Sequence, residues 1–192
     1  MPDPRFHDAP LLKRLADNLY HGWGYNFYRA ENHLRADDQL IRQKVGWLLG
    51  RAREQLEHAL AAYRRAHIPL PTRAKPLPDP DALAAAARIE ELATLVGALE
   101  GSVRTLPVPE NDRMTQRLRG ERETLSRLCD YDSHLIGRAQ LFLDQVDSQD
   151  PEQILANLAT LRDAIALMKQ GVQERQTLLL SPDRIVGWGG PT

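Results

Sequence analysis

IRQKVGWLLGRAREQLEHALAAY, residues 41–63, carries apolar side chains at Ile41, Val45, Leu48, Ala52, Leu56, Ala59 and Tyr63. Steps of three and four keep all seven on one side of an α-helix, while the Arg, Lys, Gln and Glu residues between them fall on the other sides. The stretch therefore reads as one helix with one buried face. The same spacing recurs at Ala85, Ile89, Leu92, Val96, Leu99 and Val103. It returns at Leu125, Leu128, Asp132, Leu135, Ala139, Phe142 and Val146, and again at Ile154, Leu158, Leu161, Ile165, Met168, Val172, Arg175 and Leu179. These near-heptad seams suit helices packed at shallow crossing angles. Leu12, Leu15, Leu19, Trp23, Phe27, Ala30 and Leu34 outline a fifth apolar face, weakened as a helix by Gly22 and Gly24.

Composition points the same way. Thirty Leu and 22 Ala stand against seven Val and seven Ile, and 21 of the 25 basic residues are Arg. The abundant types lose little rotamer freedom in a helix, and the residues that a sheet favours are scarce. The expected fold is all-α, a bundle of four to five long helices with a Pro-rich crossover linker, residues 1–180 forming one domain and residues 181–192 a Gly- and Trp-containing tail. Asp79-Pro80 and Asp150-Pro151 each place a capping carboxylate before a proline at the first helical position, where its missing N–H costs nothing. Asp37 and Asp38 offer a further cap, but the stripe crosses them without a phase break, so residues 25–66 read as one long helix.

Residues 68–80, IPLPTRAKPLPDP, hold five of the 13 prolines and should run extended, leaving open whether the next helix lies parallel or antiparallel to the last. A second proline-containing joint spans residues 106–112. The short connection Asp147-Ser148-Gln149 demands an antiparallel hairpin between the last two long helices.

Near-neutral charge, 25 basic against 26 acidic residues, argues against nucleic acid as a partner. Residues 29–75 are mostly basic and residues 128–164 mostly acidic, so the two regions are expected to pair within the bundle or between protomers. A single cysteine, Cys129, no signal-like start and no long apolar run suggest a cytoplasmic protein that does not enter a membrane.

Tyr20, Trp23, Tyr25, Phe27 and Tyr28 are five of the eleven aromatic residues, gathered into nine positions beside His21. Consecutive residues of a helix point in different directions, so a single neighbour cannot cover them all. Either the segment is buried on two sides or it presents contact area to a partner. The tail adds Ile185, Val186 and Trp188 among glycines, apolar groups that need a groove of their own bundle or of another protein.

Asp132 interrupts a leucine stripe, so it either faces the bundle interior with a polar partner or lies where the stripe leaves the core. Counting from a turn near Ser148 places Arg175 too far along its helix, so Arg162, or an arginine from another helix, is expected to meet it. Asp130 and His134, four apart, share a face, yet the chain lacks the paired Glu-x-x-His or His-Glu-x-x-His arrangements of helical metal sites. No catalytic or metal-binding constellation and no cofactor is expected. The reading that follows is a non-enzymatic adaptor, assembly factor or chaperone docking another protein, or a second copy of itself as a dimer, through Tyr20, His21, Trp23, Tyr25, Phe27, Tyr28 and Trp188. The alternative is a helical enzyme whose small-molecule or cofactor pocket is lined by the same aromatic segment.

Overall fold

The computed structural model describes residues 3–21, 34–73, 76–106 and 121–180, without the side chains of residues 20–21, 34–39, 121–129 and 179–180. It is mostly helical, and no strand occurs among the described residues. A 3-10 turn over Pro4–His7 leads into α1 (Ala9–His21), followed by α2 (Leu34–His67), α3 (Pro80–Arg104), α4 (Glu121–Asp147), α5 (Pro151–Ala156) and α6 (Leu158–Leu180).

Local chemistry sets these boundaries. Asp79 accepts a hydrogen bond from the Asp81 backbone N–H at 3.0 Å ahead of Pro80. Asp150 and Gln153 form a reciprocal capping box at 2.8 and 3.0 Å ahead of Pro151. Helix α2 runs through Asp37 and Asp38 for 34 residues; the part of the expected long helix over residues 25–33 lies outside the described residues.

The helix expected to run unbroken from Ile154 to Leu179 is two helices. Asn157 leaves helical geometry at φ −99° and ψ 10°, and its N–H is shared between the carbonyls of Gln153 and Ile154 at 3.0 and 3.2 Å. Its own carbonyl then accepts from Leu161 N at 3.0 Å, which restarts the helix as α6.

Tertiary pairings fix the helix directions. Arg64 meets Glu90, Arg53 approaches Glu100, and Arg42 donates to the Leu106 carbonyl, so α3 runs antiparallel to α2 and residues 68–79 join neighbouring ends. Arg162 meets Glu91, while Leu106 and Ser102 share a cavity with Val172 and Gln176, so α6 runs parallel to α3. Arg138 meets the Leu167 carbonyl and Asp132 meets Arg175, making α4 antiparallel to α6. Helices α2, α3, α6 and α4 thus neighbour one another in that cyclic order, and α1 packs on α4.

The seams become the core. Ile41, Val45, Leu48, Ala52, Leu56, Ile89, Leu92, Val96, Ile136, Phe142, Leu161 and Met168 are all buried in one cluster, the arrangement expected when apolar area leaves water as a block. Among the described side chains of α1, Leu12 and Ala16 are buried and Leu19 packs half-buried against the core, while Leu15 is half-buried, so the expected face is met at Leu12 and Leu19 with Ala16 added to it. A side chain at Gly137 has no room: an added Cβ would stand 2.5 Å from the Leu12 carbonyl oxygen and 2.7 Å from its Cα. Glycine is what lets α1 lie against the α4 backbone.

Candidate functional site

The ends of the helices assemble the candidate site. The N-terminal segment approaches α4 at Phe6 of the 3-10 turn, whose carbonyl accepts from Arg138 Nε at 3.0 Å, and at Leu12 of α1, which stands against Gly137, with Lys13 near enough for its charge to act on His134. Helix α1 therefore heads toward the N-terminal end of α4. The C-terminal end of α1, the first turns of α2, the C-terminal end of α3, the start of α4 and the C-terminal end of α6 consequently lie at one end of the molecule.

Two of the sequence-predicted residues, Tyr20 and His21, belong to the last turn of α1 by their backbone. Trp23, Tyr25, Phe27, Tyr28 and Trp188 lie outside the described residues, as does the tail with Ile185 and Val186. The segments that carry them leave described helices, α1 and α6, at that same end.

The most enclosed charged group of the described residues sits near this end. Arg175 Nε donates to Asp132 Oδ1 at 2.6 Å, with the two side chains only 4% and 1% exposed. This corrects the expectation that Arg162 would serve Asp132; Arg162 instead meets Glu91 at 2.6 Å. Arg175 reaches Asp132 because the chain does not turn back at Ser148. With α5 and the break at Asn157 inserted, α4 and α6 pair about a centre between residues 153 and 154, midway between Asp132 and Arg175. Both charges interrupt apolar stripes, and of the two places open to Asp132 the structure shows the buried one.

Around the pair, Ser133 is buried and His134 half-buried. Burial pushes the His134 pKa below its ordinary 6.5, the Arg138 and Lys13 charges push the same way, and Asp130 opposes them. Burial likewise lowers the Arg138 pKa, while its guanidinium holds the Phe6 and Leu167 carbonyls together from α4. Asp130 is exposed, and among the described residues no three His, Cys, Asp or Glu side chains are placed to hold a metal. Cys129 belongs to α4 by its backbone alone.

The expected pairing of basic and acidic stretches is redirected. The α2 arginines meet acids of α3, as Arg64–Glu90 at 2.8 Å and Arg53–Glu100 at 4.0 Å, and His67 to Glu152 at 2.9 Å is a bridge from α2 to the acidic run.

The exposure of Trp47, which follows Gly46, and a cavity between helices are not given by any stripe. Trp47, 53% exposed, stands off the Val45–Leu48 stripe with Lys44 Nζ 4.5 Å from its ring centroid, and burial lowers the Lys44 pKa. Its position between two stripe residues was the available signal. A cavity of about 220 Å³ opens between α3 and α6 beside Thr105, Leu106, Lys169, Val172 and Gln176, and no single-helix pattern could have revealed it. No described helix is long and apolar enough to cross a membrane. Comparison with protein-family models, with curated proteins and with solved structures finds no match to this chain.

Proposed function

We propose that this chain is a non-enzymatic helical-bundle interaction protein, a cytoplasmic adaptor, assembly factor or chaperone. Helices α2, α3, α4 and α6 form the bundle, α1 is its fifth member, and residues 68–79 are its proline-rich linker. The partner is another protein, or a second copy of the chain, docked on Tyr20, His21, Trp23, Tyr25, Phe27 and Tyr28 with Trp188 contributing from the tail. The observation that supports this reading is the convergence of helix ends. Segment 22–33 leaves α1, and segment 181–192 leaves α6, at one end of a packed helical body. Segments attached to one end of a body can reach one partner, and large rings supply contact area at small entropic cost.

A pull-down from native extract comparing the intact chain with Trp23→Ala tests the proposal. Loss of a stoichiometric protein with the melting temperature unchanged is expected. Equal capture by both chains, or a fall in melting temperature that accounts for the loss, defeats it. Light scattering at two concentrations distinguishes self-association, and colour or a bound small molecule after purification would favour the pocket-bearing enzyme instead.

A further inference from the structure

The apolar pattern of the second half of the chain permits two hairpins. In one, residues 151–180 form a single unbroken helix that folds back at Ser148, placing Asp132 level with Ile165, Leu135 with Leu161, Ala139 with Leu158 and Phe142 with Ile154. In the observed arrangement α5 and the break at Asn157 intervene, and counting from the Asp132–Arg175 contact brings Leu135 level with Val172, Ala139 with Met168, Phe142 with Ile165 and Val146 with Leu161. Both set apolar residues on apolar residues, because two stripes with steps of three and four match at either height. The Asp150 capping box starts a helix in both. The exposed His67–Glu152 pair adds little.

The charged stripe positions do distinguish them. We propose that the buried Asp132–Arg175 pair selects the broken-helix hairpin over the unbroken one, acting as the register determinant of α4 and α6. In the unbroken hairpin Asp132 would face Ile165 and Arg175 would come level with Arg122, burying charges among apolar or like-charged neighbours. In the observed form the two charges meet at 2.6 Å, 43 residues apart in the chain. Selection of one register by a single buried polar contact is the best-attested use of such groups between helices.

The test uses the full chain with Cys129→Ser and nitroxides on cysteines replacing the exposed Asp144 and Asp163. These positions are level in the observed hairpin and ten residues apart along the axis in the unbroken one, a difference of about 15 Å. The otherwise unmodified chain should give one short distance. Asp132→Leu with Arg175→Met should add a second population about 15 Å longer. Moving the arginine, by Ile165→Arg with Arg175→Met, should make the longer distance dominant. Retention of the single short distance by both folded variants overturns the proposal. If neither folds, the exchange Asp132→Arg with Arg175→Asp decides: a short distance upholds the pair as selector, and a long one overturns it.

Discussion

The hairpin of α2 with α3 and the hairpin of α4 with α6 each bury a carboxylate, and they treat it in opposite ways. Glu100 on α3 is met by Arg104 at 2.5 Å and approached by Arg53 at 4.0 Å, partners that are themselves 68% and 47% exposed. Its charge is answered at the rim, where water can replace a lost partner. Asp132 on α4 is answered by a guanidinium enclosed with it. A charge at the rim decorates a hairpin whose apolar layers hold it; a charge within the layers takes part in deciding which layers meet.

The largest expected difference between the hairpins follows. Asp132→Asn removes the carboxylate that the enclosed Arg175 meets at 2.6 Å and should cost about 3–5 kcal/mol in denaturant unfolding. Glu100→Gln, whose arginines can turn to solvent, should cost no more than about 1 kcal/mol. Similar costs for the two would erase the distinction.

Glycines sharpen the comparison at a smaller scale. Gly137→Ala forces α1 off the α4 backbone and should cost about 1–3 kcal/mol, with faster amide exchange in α1. Gly101→Ala on α3 meets nothing within 4 Å and should stabilise by up to about 1 kcal/mol, since alanine is the better helix former. A tolerated Gly137→Ala would show that α1 is loosely held.

The smallest effect concerns pH. His134 on α4 has its pKa lowered from 6.5 in the folded chain, chiefly by burial, so the unfolded chain binds the proton more readily. Its contribution is fully present above the unfolded value and is lost as pH falls through it, the loss ending below the folded value. His134→Asn should flatten the acid-side slope of melting temperature against pH; an unchanged slope would assign that dependence to other groups.

Much of this was legible residue by residue. The stripes named Leu48, Leu56, Ile89, Leu92 and Phe142 as core because burial in a helix repeats locally, and Asp79 and Asp150 announced helix starts because a cap acts within three residues. On α1 the stripe named Leu12 and Leu19 but not Ala16, which is buried although alanine is a weak apolar signal. The exposure of Trp47 and the close approach at Gly137 were not legible because both belong to pairs of helices.

Helix content, helix boundaries at the Asp-Pro caps and the identity of Asp132 and Arg175 as interruptions of the core were determined by the sequence alone, since each depends on neighbours within a turn or two. Which charge meets which was decided only in three dimensions. A repeat of three and four is satisfied at several heights, so the height at which α4 meets α6 depends on one non-helical residue, Asn157, and on a contact between groups 43 residues apart.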